Sequence, residues 1–103
     1  MPTRIAAHRG GALEAPENTL EAFSHALRLG VEEIECDVHL SSDGRIMVHH
    51  DATLERMTDG HGPLCDRPAE ALRRLRIKGS ATARMPVLSE VLALLAPGDA
   101  VLR

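Results

Sequence analysis

The alternation of short apolar runs with amphipathic helical patterns is the feature that most restricts the fold of this chain. Each apolar run is followed by loop residues or by a stretch in which apolar residues recur every three or four positions. Strands that alternate with helices favour a parallel sheet covered by helices, so the order predicts an α/β fold. The predicted strands are Arg4–His8, Glu33–Leu40, Ile46–His49 and the first residues of a fourth, Ala100–Leu102. The predicted helices begin near Asn18, Pro68 and Ser89, and Asn18 with Glu21 three residues later is predicted to cap the first of them. The apolar residues at helical spacing, expected to face the core, are Leu20, Phe23 and Leu27 in the first helix, Leu72 and Leu75 in the second, and Leu88, Val91, Leu92 and Leu95 in the third.

The spacing between the second and third predicted strands departs from this alternation. Only the turn Ser42-Asp43-Gly44 and its immediate neighbours separate them, whereas parallel crossovers need a dozen or more residues. If both strands belong to one parallel sheet, an extended stretch has to return the chain across it. The prediction is therefore an α/β fold with one irregular connection.

The composition argues against several classes of function. The formal net charge of the 103 residues is −3 without a basic stripe or tail, which argues against nucleic-acid binding. Phe23 is the only aromatic residue, so bases would find no platform on which to stack. No apolar run is long enough for a transmembrane helix, and no signal-like stretch follows Met1, so a cytoplasmic location is expected. Cys36 and Cys65 lack the spacing of a metal site and are interpreted as ordinary thiols.

Two acidic residues in the second predicted strand, Glu35 and Asp37, form the first candidate site. Residues two apart on a strand project from the same face, about 6.6 Å apart along it. Two carboxylates on one buried face repel each other unless a positive group lies between them, and Mg²⁺ and Ca²⁺ prefer oxygen ligands. The spacing indicates a divalent metal site, although an exposed strand face has the same alternation. His39 shares this face and could be a further ligand, but a structural role is favoured for it.

Residues at the ends of predicted strands form the second candidate site. His8 and Arg9 follow the first strand and His50 follows the third, at strand ends where parallel α/β folds place active sites. The planar guanidinium of Arg9 suits a phosphate group, and it suits a surface ion pair equally. From the residues alone, a structural role for these side chains is as well supported as a catalytic one. His49 and His50 should face opposite sides of a strand, so one of them is expected to be structural.

Together these motifs resemble the glycerophosphodiester phosphodiesterase family. Their order and spacing match over nearly the whole chain, which chance does not explain. The matching segments are Ala7-His8-Arg9-Gly10-Gly11, Pro16-Glu17-Asn18-Thr19 with Ala22-Phe23, Ile34-Glu35-Cys36-Asp37-Val38, Asp43-Gly44, Val48-His49-His50-Asp51, Leu54 to Gly60 and Met85 to Leu92.

The resemblance implies the N-terminal part of a TIM (β/α)8 barrel, with about three to four strands present. It implies that Glu35 and Asp37 bind a divalent metal, Mg²⁺ or Ca²⁺. His8 and His50 would be the catalytic acid–base pair, and Arg9 would bind the substrate phosphate. The implied reaction is hydrolysis of a glycerophosphodiester to glycerol 3-phosphate and an alcohol. In this family an extended return replaces a helix of the barrel, which would explain the short connection.

Length limits what these residues can form. A TIM barrel takes about 250 residues, so residues 1–103 are expected to be a truncated domain that lacks a further acidic ligand just past Arg103. Its open strand edges would favour self-association. The alternatives are a related phospholipid-headgroup phosphodiesterase and a non-catalytic module that binds glycerophosphodiesters or a partner protein. The presence of both histidines favours an enzyme.

Overall fold

The computed structural model describes residues 6–7, 15–31, 33–97 and 101–102, with the backbone alone at residues 6, 7 and 101. The strands are β1 (Ala6–Ala7), β2 (Glu33–Ile34), β3 (Val38–Leu40), β4 (Ile46–Val48) and β5 (Val101–Leu102). The α-helices are α1 (Leu20–Arg28), α2 (Ala69–Arg74) and α3 (Leu88–Leu95), and a single 3-10 turn spans Leu64–Asp66. Among the described residues, no helix has the length and apolar character needed to cross a membrane.

A parallel sheet of three strands, in the order β1-β2-β5, confirms the predicted α/β class for this part of the chain. β2 is central: Ile34 pairs with Ala7 on one side and with Leu102 on the other. The segment predicted to be the fourth strand is therefore β5, which pairs directly with β2. It is the third strand of this sheet, because the predicted third strand does not join the sheet.

The predicted third strand is not part of that sheet. β4 runs antiparallel to β3 as a separate two-stranded hairpin, in which Val38 is opposite Val48 and Leu40 is opposite Ile46. The chain reverses at Gly44, whose φ is 81° and whose N–H donates to the Ser41 carbonyl (3.0 Å). The prediction of an extended return between parallel strands is wrong, because a connection this short reverses the chain.

The second predicted strand is also divided. Residues 33–34 pair with the parallel sheet and residues 38–40 pair with β4, while residues 35–37 connect the two sheets outside either ladder. Glu35 and Asp37 therefore lie in this connection and not within one continuous strand as predicted. The connection is the point at which the chain leaves the parallel sheet.

The helices start close to the predicted positions. Thr19 caps α1, because its hydroxyl oxygen accepts a hydrogen bond from the Ala22 N–H (3.1 Å), so the predicted cap at Asn18 is wrong by one residue. α2 begins directly after Pro68, as predicted. Its Ala69 N–H donates to the Asp43 carboxylate of the hairpin turn (3.0 Å). The hairpin is thereby joined to α2.

Two apolar clusters flank β4, because adjacent strand residues face opposite sides. Met47 belongs to a cluster with residues of α2 and the long loops, and Val48 to a cluster between α1, β2 and α3. The predicted apolar stripe of α3 is partly wrong, since Val91 and Leu95 are buried but Leu92 is half exposed. The first cluster contains Met47, Leu54, Leu64, Ala69, Leu72, Ile77, Ala83, Met85 and Val87, and the second contains Phe23, Ala26, Ile34, Val48, Val91 and Leu95.

Candidate active site

The hairpin brings the segment after β4 beside the connection that follows β2. In the register of β3 with β4, Val38 is opposite Val48, so Asp37 and His49 are the next residues at this end. The His49 N–H donates to the Asp37 carbonyl (2.9 Å). His50 therefore follows directly after a backbone contact with a predicted metal ligand. His8 and Arg9 lie outside the described residues, so their assignments stay predictions.

Glu35 and Asp37 are both half-buried in the connection between β2 and β3. Two carboxylates separated by one residue form a hard oxygen donor set of the kind that Mg²⁺ and Ca²⁺ prefer. Within residues 15–31 and 33–97, no three histidine, cysteine or acidic side chains are grouped so as to hold a metal. The assignment of Glu35 and Asp37 as ligands of a divalent cation therefore stays a prediction.

Asn18 holds Asp37 through two hydrogen bonds. The Asn18 amide nitrogen donates to Oδ2 of Asp37 (3.1 Å), and the Asp37 backbone N–H donates to the Asn18 amide oxygen (3.3 Å). Asn18 is 2% exposed and its φ is 55°. The buried side chain therefore restrains both the backbone and the carboxylate of Asp37.

His50 is held through its Nδ1 atom. This atom lies 2.6 Å from Oδ1 of Asp51, and the His50 side chain is partly exposed to solvent. A carboxylate only accepts hydrogen bonds, so the contact places the proton of neutral His50 on Nδ1. Nε2 is then the nitrogen whose lone pair can take up a proton. Among the candidate-site residues that the structure describes, this arrangement best suits acid–base chemistry.

Arg56 joins Asp51 to Glu17 of the segment before α1. Its guanidinium donates to both carboxylate oxygens of Asp51 (2.8 and 3.0 Å) and to both of Glu17 (3.2 and 2.7 Å). Hydrogen bonds from Arg56, and then from His50, hold the pKa of Asp51 well below its usual range. The same two carboxylates raise the pKa of Arg56. Asp51 and Arg56 thus stay ionised beside the His50 imidazole, and Arg56 links them to the carboxylate of Glu17.

The neighbouring histidines occupy structural positions. His49 is buried, burial lowers its pKa, and within the described residues its Nε2 has no hydrogen-bond partner. This agrees with the prediction that one histidine of the His49-His50 pair is structural. The Nε2–H of His39 donates to the His50 carbonyl (2.9 Å), which stabilises the loop that carries His50.

Sequence reasoning from residue types missed Asn18, Glu17, Asp51 and Arg56. The partners are far apart in the chain: Asn18 and Asp37 by 19 positions, and Glu17 and Arg56 by 39. The available signal was that all four lie inside segments that match the family pattern.

A groove of about 450 Å³ between α1 and α3 contains none of the candidate catalytic or metal-binding side chains.

Comparison with known proteins identifies the family. The sequence model of the glycerophosphoryl diester phosphodiesterase family matches residues 8–102. The chain belongs to this family. A glycerophosphodiester phosphodiesterase of Caldanaerobacter subterraneus subsp. tengcongensis is 39% identical over 104 residues, which covers 96% of this chain and 43% of that protein. Named members of the family are phosphoric diester hydrolases.

Solved structures of related proteins share the fold described above. The crystal structure of glycerophosphodiester phosphodiesterase from Agrobacterium tumefaciens is 37% identical, with a TM-score of 0.90 over 98% of this chain and 46% of that one. An Oleispira antarctica phosphodiesterase in complex with the product sn-glycerol-3-phosphate is 32% identical, with a TM-score of 0.92 over 98% of this chain and 43% of that one. The chain thus spans less than half the length of these relatives.

Proposed function

We propose that this chain carries the acid–base and metal-binding part of a glycerophosphodiester phosphodiesterase site. The observation that carries the proposal is the convergence at one hairpin end of Asp37, held by Asn18, and His50, held by Asp51. The parallel strands β1, β2 and β5 would be the first three strands of a TIM barrel. The hairpin β3–β4 would lie outside the barrel wall, beside the site.

The proposed reaction is hydrolysis of a glycerophosphodiester to glycerol 3-phosphate and an alcohol. Water attacks phosphorus, the bond to the leaving alcohol oxygen breaks, and one histidine takes the water proton while the other protonates the leaving oxygen. His50 suits one of these roles because Asp51 orients its ring. The family pattern assigns the second role to His8 and phosphate binding to Arg9.

Glu35 and Asp37 would hold a divalent cation, Mg²⁺ or Ca²⁺. When bound, such a cation polarises a phosphoryl oxygen and stabilises its negative charge. Asp37 contributes one carboxylate whose Oδ2 is already engaged with Asn18, and Glu35 contributes the second. A further acidic ligand is expected on the strand that begins with β5.

The proposal is tested with the 103-residue chain and glycerophosphocholine, in Mg²⁺, in Ca²⁺ and in excess chelator. Release of glycerol 3-phosphate is measured for the wild type, His50→Ala and a control, His61→Ala, which removes an exposed histidine that has no predicted role in the site. We expect metal-dependent release that His50→Ala lowers by at least about 100-fold and His61→Ala leaves unchanged, since general acid–base groups contribute about 10²–10⁴-fold.

Equal activity of His50→Ala and wild type would remove His50 from the mechanism. If the wild type has a cooperative unfolding transition and no activity in any condition, the chain alone is not an enzyme. Titration with glycerol 3-phosphate would then test the non-catalytic binding alternative. Light scattering over a range of concentrations tests the proposed self-association through the edges β1 and β5. The cytoplasmic location stays a prediction.

A further inference from the structure

Asn18 has an unusual backbone conformation. With φ at 55°, it is the one non-glycine residue with a positive φ in the described part of the chain. Left-handed conformations cost L-residues about 1–2 kcal/mol, and asparagine tolerates them better than most. The side chain is also buried, at 2% exposure. A strained and buried polar residue requires a contact that compensates for these costs.

Within the described residues, the Asn18 side chain makes that compensating contact with Asp37. The two ends of the Asn18 amide face the carboxylate Oδ2 and the backbone N–H of Asp37. Only one orientation of the amide satisfies both, because its NH₂ group must face the acceptor and its oxygen must face the donor. A neutral amide also adds no negative charge beside the carboxylates of Glu35 and Asp37. Asparagine thus suits this position better than a charged side chain.

Asn18 is not needed to cap the helix that follows it. Thr19 supplies the cap through Ala22, and its hydroxyl group also donates to the Pro16 carbonyl (2.7 Å). Thr19 makes no side-chain hydrogen bond to Asp37 in the structure. Adjacent residues therefore divide two tasks: Thr19 starts α1, and Asn18 restrains Asp37.

We propose that Asn18 is a positioning residue of the divalent metal site, which fixes the Asp37 carboxylate before the cation binds. This inference rests on the proposed function, because it takes Asp37 as a ligand. With Oδ2 tied to the amide, the plane of the carboxylate is set and less conformational freedom is lost when the cation binds. Groups that orient metal ligands in this way typically change metal affinity by about 10–100-fold when they are removed.

The test uses Asn18→Gly, because glycine adopts the left-handed conformation without steric cost and lacks the amide. Thr19→Ala is the matched control: it is one residue away, weakens the start of α1 and does not touch Asp37. Isothermal titration calorimetry of the 103-residue chain with MgCl2, and separately with CaCl2, gives the Kd, and thermal unfolding without metal gives the Tm.

We expect Asn18→Gly to raise the Kd by about 10–100-fold. Thr19→Ala should lower the Tm and change the Kd by less than about twofold, since the cap does not contact the metal ligand. A folded Asn18→Gly variant with wild-type Kd would overturn the positioning role while leaving the metal site in place. Failure of the wild type to bind either cation would instead overturn the proposed metal site, and the inference with it. A Kd that rises equally in both variants would show that only general stability matters, which also contradicts the proposal.

Discussion

Replacement of Arg56 by alanine is the perturbation that best tests the network behind His50. The substitution removes four hydrogen bonds, two to Asp51 and two to Glu17, and so separates the loop after β4 from the segment before α1. Within the described residues, no other ion pair joins the side chains of these two segments. The free energy of unfolding should therefore report directly on this link.

The expected loss follows from the exposure of the partners. The Arg56 side chain is 46% exposed and the Asp51 side chain 23%, so solvent weakens this pair to about 0.5–1 kcal/mol. The Glu17 side chain is only 10% exposed and is bound through both oxygens, so its pair should reach about 1 kcal/mol. The sum predicts a loss of about 1.5–2 kcal/mol for Arg56→Ala. Arg56→Lys should recover less than half of it, since an ammonium cannot bind both carboxylates in the bidentate manner.

The loss should also depend on pH. The folded-state pKa of Asp51 lies below its unfolded value, so its contribution is present above about pH 4 and is lost as the pH falls through the folded-state pKa. The difference in unfolding free energy between wild type and Arg56→Ala should be constant from about pH 5 to 7 and should shrink in stronger acid. Urea denaturation at several pH values measures both effects.

Arg74→Ala is the matched control for this experiment. Arg74 also pairs with a carboxylate, that of Glu70, but the two side chains are 74% and 77% exposed. Its removal should cost no more than about 0.5 kcal/mol. Equal losses for Arg56→Ala and Arg74→Ala, or a loss at Arg56 that stays constant into strong acid, would refute the reasoning.

Three further predictions concern the hairpin, His50 and the core. The Ser41 hydroxyl, followed by the first N–H of α2, holds the pKa of Asp43 below its ordinary value. Asp43→Ala should therefore lower the Tm at pH 7, and the difference in Tm should shrink as the pH falls below about 4; a difference that does not change with pH would contradict this. Asp51→Asn should shift neutral His50 from the Nδ1–H toward the Nε2–H form, seen in ¹⁵N NMR spectra at pH 8, and an unchanged tautomer would show that Asp51 does not set it. Leu72→Ala in the first core cluster should lower the free energy of unfolding by about 2–5 kcal/mol. Leu92→Ala, on the exposed side of α3, should lower it by less than about 1 kcal/mol. Similar losses for the two variants in urea denaturation would argue against the described core.

Local patterns predicted much of the fold because they depend on neighbouring residues. The helix α2 begins after Pro68, and Phe23, Leu72 and Val91 are buried as their spacing indicated. The role of β4 could not be predicted in the same way. A short apolar run has the same sequence whether it pairs in a parallel sheet or folds back as a hairpin, and the turn at Gly44 selected the hairpin.

For the site, motif order pointed to Glu35, Asp37 and His50 but not to the residues that hold them. Residue types suggest which side chains can bind a cation or transfer a proton. They do not show which amide or guanidinium lies beside a given carboxylate. Asn18, which the sequence indicated as a helix cap, instead makes a hydrogen bond to Asp37 in the structure.

The sequence by itself determined the family, the alternation of strands and helices, and the chemical types present in the candidate site. Only the tertiary structure decided that β5 lies beside β2, that the β3–β4 hairpin stands apart from the parallel sheet, and that Arg56 joins Glu17 to Asp51. The physical reason is the distance along the chain over which each kind of interaction acts. Helix periodicity and turn chemistry act over a few residues, whereas strand partners and ion pairs are selected by packing between segments that are distant in the chain.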